Sequence, residues 1–270
     1  MITGILRGAR TAALRLASPI DAAWRRARGG RADLPPLWLR RHTGPVRDFE
    51  RSAAGLVAVL QELDLLPVTG TVLDAGCGAG AMASALAGRL ADGARYVGFD
   101  VHAPSIRWCR RRFAGDPRVR FELAAVASPY GSSRGAPASG YHFPVEDAGA
   151  TLVLAKSLFT HLTREDAAHY LREIRRALRP GSPAIVTAFL FDGSGPAMSG
   201  VRREFPHEDA IAGGSVRYRS RRRPTAAVAY SRAELESLVE SAGLRVQWLR
   251  PGYYPGGSPI TGQDTLLLGH

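Results

Sequence analysis

The chain has 270 residues, 45% of them hydrophobic, which suffices for one large α/β domain or two small ones whose core needs no covalent staple. Cys77 and Cys109 match neither a disulfide framework nor a zinc site and read as reduced thiols, and no apolar run reaches the ~18 residues of a membrane-spanning helix. The formal charge of +12 is almost entirely arginine, with Lys156 the only lysine, and leaves two readings, a solubility feature of a GC-rich coding bias or a polyanionic partner.

In chain order, residues 1 to 28 place Ile5, Ala9, Ala12, Leu16, Ile20, Trp24 and Ala27 at helical spacing, with arginines mostly elsewhere. Ser18 before Pro19, with Asp21 in the following turn, predicts a helix start and therefore two short helices. Arginines interrupt any signal-peptide core, so the expected location is the cytoplasm. A helix lying on a membrane surface through residues 1–28 and a helix packed on the domain are the alternatives. "GGRADLPPLW" at 29–38 reads as a linker, dividing a basic helical arm (1–34) from the main domain (35–270).

Residues 48–65 predict a helix with Phe49, Leu56, Leu60 and Leu63 near one face. Strands are expected at 71–74, 95–100 ("RYVGFD") and 119–124 ("VRFELA"), alternating with helices at 81–91 and 104–113. A Gly/Ser/Pro/Ala-rich loop at 127–149 precedes a fourth strand, "ATLVLAKS", and a helix opened by Thr163, Glu165 and Asp166, with arginines in its last turn. The fifth strand is "SPAIVTAFLF". Residues 192–229 read as polar, basic and irregular; Ser231 then caps a helix, and "LRVQWL" and "DTLLLG" complete seven strands. Strand–helix alternation implies a parallel, doubly wound, Rossmann-like sheet.

The first strand ends in "TVLDAGCGAG", and its glycines let a ligand approach the backbone at the strand's carboxyl end. Gly76, Gly78 and Gly80 give G-x-G-x-G, which is neither the dinucleotide fingerprint nor a P-loop. Asp74 at the strand end suits a cationic ligand better than a pyrophosphate, which points to S-adenosylmethionine. With "VLDAGCGAG", "YVGFD", "SLFTHL" and "EIRRALRPGSPAIVTAF" in order over about residues 70–190, the chain resembles the class I S-adenosylmethionine-dependent methyltransferases. "SLFTHL" and "GQDTLLLG" are also similar to a bacterial branch met beside sugar and natural-product biosynthesis enzymes.

The resemblance implies the seven-stranded class I fold, with an N-terminal helical extension, and S-adenosylmethionine as cofactor. It places Asp74, Ala75, Gly76, Cys77, Gly78 and Gly80 at the methionine moiety and ribose edge, Asp100 on the two ribose hydroxyls with Val101 beside it, and Ser157 at the fourth strand's end. The acidic residue that many relatives carry after the third strand for the adenine amino group is missing from "ELAAVAS"; either Glu122 is shifted or a backbone group serves.

Methyl transfer needs alignment and exclusion of water, and a hydroxyl acceptor gains from a base of near-neutral pKa. His161 is the candidate base, against a turn histidine bonded locally. Lys156 is either a partner for a substrate carboxylate or phosphate or a snorkelling surface lysine. His142, between Tyr141 and Phe143, is a candidate lid, and Tyr253, Tyr254 and Asp264 are candidates for the acceptor pocket. "AKSLF" replaces the [DNS]-P-P-[YF] grip on a base's exocyclic amine, and neither cysteine is placed for cytosine C5 chemistry. The expected function is methylation of a small molecule, at an oxygen of a sugar or specialised metabolite. The alternatives are an RNA or anionic-lipid substrate, supported by Arg217 to Arg223, and a cofactor-binding scaffold without turnover.

Overall fold

The computed structural model describes residues 2–30, 33–40, 49–128, 130–131, 135–191, 197–252 and 263–270. Five parallel strands form its centre: β1 (Thr71–Ala75), β2 (Arg95–Asp100), β3 (Val119–Leu123), β4 (Leu152–Ala155) and β5 (Ala184–Phe191), in the order β3-β2-β1-β4-β5. The chain reverses direction across the sheet between β1 and β4, so a crevice opens beyond their carboxyl ends.

Neighbouring residues on each strand feed opposite cores. Leu73, Val97, Phe99 and Val153 pack under helices α6 (Arg164–Ala177) and α8 (Arg232–Ser241), while Val72, Tyr96, Leu152, Leu154 and Ile185 pack under α3 (Phe49–Glu62), α4 (Ala81–Leu86) and α5 (Ala103–Arg112). Burial on both faces explains why these strands are continuous apolar runs rather than alternating ones. Thr163 accepts from the Asp166 N–H at 3.3 Å and Ser231 from the Glu234 N–H at 3.2 Å, the helix starts expected from sequence.

Two expectations need correction. The segment 192–229 is not irregular: it contributes α7 (Ala197–Glu204), β6 (His207–Asp209), β7 (Gly213–Tyr218) and the first residues of β8 (Val228–Ser231). Strand β5 consequently forks. Its first five residues pair antiparallel with β10 (Asp264–Gly269), which carries β9 (Arg245–Arg250), whereas Phe189–Phe191 pair with β8, followed by β7 and β6. The seven expected strands are thus joined by three more in one ten-stranded sheet. Arg217, expected in a basic patch, is buried in this extension; it donates to the Phe205 carbonyl at 2.9 Å and to Glu208 at 2.6 Å.

The N-terminal segment is one helix, α1 (Ile2–Ala27), not two. Ser18 does not cap a second helix: its hydroxyl donates to the Leu14 carbonyl at 2.6 Å, within a helix that runs on through Pro19. The same oxygen accepts from the Leu37 N–H at 3.0 Å, where the short helix α2 (Leu37–Arg40) begins, and Asp21 pairs with Arg40.

Candidate active site

Beyond the carboxyl ends of β1, β2 and β4 lies a cavity of about 290 Å³. Asp74, Gly76, Cys77, Gly78, Asp100, Val101, Lys156, Ser157 and His161 line it together. Two expected residues stand behind the wall instead. Ala75 is fully buried in the core, and Gly80 is the N-cap of α4 at φ 79°, where an added Cβ would meet the Cys109 sulfur at 3.0 Å.

The turn after β1 is fixed by the neighbouring strand: the N–H groups of Gly76 and Cys77 both donate to the Phe99 carbonyl, at 2.9 and 3.0 Å. Gly76 and Gly78 adopt φ of 74° and 53°, a region open to glycine, and a Cβ at Gly76 would press on Leu158 at 3.2 Å. Asp100 is aimed by its own backbone surroundings, accepting from the Gly78 N–H at 2.8 Å and the His102 N–H at 2.7 Å. Those bonds lock the carboxylate to the glycine turn across two strands.

Asp74 is only 2% exposed and accepts a hydrogen bond from the Tyr96 hydroxyl. Burial pushes its pKa up from the ordinary 3.8 to about 6, with the Tyr96 bond and the Lys156 charge pulling the other way. Lys156, at the end of β4, is itself pushed below the ordinary lysine value by burial, opposed by Asp74. Ser157 sits at φ 58°, a left-handed conformation that costs a serine roughly 1–3 kcal/mol. Its N–H donates to Thr187 Oγ1 at 2.7 Å, its carbonyl accepts from Thr160 at 2.8 Å, and Thr187 donates onward to Gln263 at 2.6 Å.

His161 occupies a single helical turn (Phe159–His161) after β4. Its Nδ1 lies 3.0 Å from the Thr225 carbonyl, which only accepts, so Nδ1 carries the proton and Nε2 holds the lone pair. Tyr130 stacks edge-on against the ring at 4.8 Å, its hydroxyl 3.2 Å from Nδ1. Burial lowers the pKa, partly offset by the Thr225 and Ala226 carbonyls. The local hydrogen bond considered from sequence is absent; the partner lies on the turn leading into β8, and Tyr230 of β8 donates to the Leu162 carbonyl at 2.6 Å. Tyr230→Phe is expected to lower stability by about 1–2 kcal/mol in urea denaturation, since it strands a buried carbonyl, while leaving nucleoside affinity unchanged.

Sequence reasoning missed Tyr130, Thr225, Asp166, Tyr170 and Gln263, which also line the cavity. His142, Asp264 and Glu122 do not line it. The His142 ring is largely exposed and 3.4 Å from Glu173, while Phe143 packs against Phe99 and Tyr170, so this stretch is a packed aromatic loop and not a lid. Asp264 is a buried clamp accepting from the Leu190 and Gly252 N–H groups, both at 2.8 Å. Glu122 faces Arg110 and Arg120 on the surface. Tyr253 and Tyr254 lie outside the described residues.

Two carboxylates flanking a glycine turn, in a pocket that mixes apolar and polar side chains, form a donor set suited to a cationic nucleoside. Residues 72–181 match a family model described as a methyltransferase domain. Residues 72–181 thus carry a methyltransferase domain, on the class I methyltransferase fold. This methyltransferase is similar in structure to an S-adenosylmethionine-dependent methyltransferase from Methanosarcina mazei (17% identity, 77% of this chain and 95% of that one, TM-score 0.54). It is likewise similar to the 1,6-didemethyltoxoflavin-N1-methyltransferase of Burkholderia thailandensis, solved with S-adenosylhomocysteine and its acceptor (18%, 85% and 81%, TM-score 0.53). A third similar structure is the mitomycin 7-O-methyltransferase (18%, 86% of this chain and 56% of that one, TM-score 0.54). At these identities the likeness is one of fold. The family match makes the domain that of an enzyme, a methyltransferase, and no helix among the described residues is long and apolar enough to cross a membrane.

Proposed function

We propose that this methyltransferase transfers the methyl group of S-adenosylmethionine to a hydroxyl of a small molecule, a sugar or specialised metabolite, with His161 as general base. The observation that carries this reading is the tautomer of His161. With Nδ1–H committed to the Thr225 carbonyl, the Nε2 lone pair remains to take a proton, and burial keeps the ring neutral near neutral pH.

When bound, the cofactor supplies an electrophilic methyl group. Asp100 would hold the ribose hydroxyls, Asp74 and the turn at Gly76, Cys77 and Gly78 the cationic methionine end, and Val101 the nucleoside face beside Asp100. Ser157, held in its strained conformation, shapes the wall between the cofactor and acceptor sides. Lys156, the one lysine, would meet a carboxylate or phosphate on the acceptor. Tyr130, Asp166 and Thr225 add polar groups where an acceptor with several hydroxyls would lie.

Two of the similar structures act on small molecules, one at nitrogen and one at oxygen, so the fold does not choose the atom; the neutral imidazole favours oxygen, whose proton must leave. His161→Ala is expected to lower kcat about a hundredfold with unchanged S-adenosylhomocysteine affinity. In the unsubstituted enzyme kcat/KM should rise with pH through a midpoint below the ordinary histidine value of 6.5, because burial lowers it, and that limb should vanish in the variant. Full turnover in His161→Ala would remove the base from the mechanism.

A further inference from the structure

Helix α1 sits on the protein with the wrong face outward for a domain-packing helix. Its inward side is largely polar: Ser18 meets the Leu37 N–H, and Asp21 meets Arg25 and Arg40. Its outward side carries Leu16, Ile20 and Trp24, one turn apart, at 79%, 72% and 57% exposure, with the small exposed residues Ala9, Ala13 and Ala27 continuing the line. Three large apolar side chains in a row on one exposed face form a patch of the kind that marks an interaction surface.

The charges beside the patch indicate what it meets. Arg10 and Arg26 are exposed on the same helix, and Arg28, just past its end, lies over the Trp24 ring at 4.6 Å, whereas Arg15 is turned toward α2, over the Trp38 ring at 4.7 Å. Asp21 is the only acid between residues 2 and 28, and it is turned inward and paired. We infer that α1 is a membrane-surface anchor: its Leu16–Ile20–Trp24 stripe enters the interface of an anionic lipid bilayer while the flanking arginines meet the headgroups.

Two other occupants fit less well. A second copy seated on the stripe would set arginines against arginines, since positive charge lies toward both ends of the helix and either orientation opposes them. RNA would satisfy the arginines but leave Leu16 and Ile20 without an apolar partner, and one tryptophan is not a stacking platform.

The test uses the full chain in flotation with vesicles of equal parts phosphatidylglycerol and phosphatidylcholine, and with phosphatidylcholine alone. Binding is expected to the anionic vesicles, weakening as salt rises, and to be at least about tenfold poorer on the neutral ones. The triple variant Leu16→Ser, Ile20→Ser, Trp24→Ser should lose about a hundredfold in partitioning, with S-adenosylhomocysteine affinity unchanged as evidence of an intact fold. Arg10→Glu with Arg26→Glu should abolish the preference for anionic lipid. The anchor is overturned if the native chain stays with the aqueous phase, or if the triple variant floats equally well. It is equally overturned if that variant converts a dimer into a monomer without lipid, or removes RNA binding, since the stripe would then belong to that partner.

Discussion

The Asp100→Ala variant is expected to lose nearly all affinity for S-adenosylhomocysteine, by about a thousandfold. Two effects combine. The carboxylate is the group proposed to take the ribose hydroxyls, and it is also what ties the Gly78 and His102 N–H groups together at 2.8 and 2.7 Å. Removing it deletes the ligand contacts and leaves two backbone donors without their acceptor, so the glycine turn loses its fixed shape. Hydrogen bonds to a charged group are worth about 1.5–3 kcal/mol each, and losing two of them corresponds to roughly two to four orders of magnitude. Calorimetric titration of Asp100→Ala and Asp100→Asn, each checked for folding by circular dichroism, separates the contributions. An affinity within a few fold of the unsubstituted enzyme in the alanine variant would remove Asp100 from the binding site.

Asp74→Asn should move stability and binding in opposite directions. Asp74 holds its proton more tightly in the folded protein, about 6 against 3.8, so its stabilising contribution is complete below about pH 4 and is lost as pH rises through 6. Above that, the buried anion costs about 3 kcal/mol. An asparagine carries no charge and still accepts from Tyr96, so the variant should be more stable by a large part of that amount at pH 8 and by little at pH 4, in urea titrations at the two values. Cofactor affinity should fall nonetheless, because the proposed cation at that position loses its counter-charge. The same logic predicts that affinity in the unsubstituted enzyme weakens as pH drops below 6, where Asp74 takes up a proton. Equal stability of the two proteins at both pH values would mean that Asp74 is not held as an unfavourable buried anion.

The central strands and the glycine turn were readable because they obey one rule each: apolar runs buried on both faces, and left-handed backbone where glycine stands. Helix starts at Thr163 and Ser231 were equally plain, since a short side chain before an acidic first turn has few other uses. What escaped reading depends on distant partners. Arg217 and its neighbours suggest a solvated basic loop, but the guanidinium is buried on the Phe205 carbonyl and Glu208, bonds that no local pattern announces. The alternation Val216, Tyr218 and the run Ala227 to Tyr230 were the available signals for β7 and β8, hidden by intervening arginines. Ser18–Pro19 misled because the serine that would cap a new helix bonds backward to Leu14 and across to Leu37 instead, partners that the local pattern does not announce. In the site, His161 was found from its place after β4, whereas Thr225 and Tyr130, which fix its tautomer and its packing, come from segments with no motif of their own.

The fork in β5 splits the sheet into two branches. One branch, through β10 and β9, extends the sheet past β5; the other, through β8, β7 and β6, brings Thr225 and Tyr230 against the turn that bears His161. Residues 213–231 are nonetheless tied to the rest of the domain, through Val216, Tyr218, Val228 and Tyr230 in the main core and through Ser215, which donates to Glu234 of α8 at 2.8 Å.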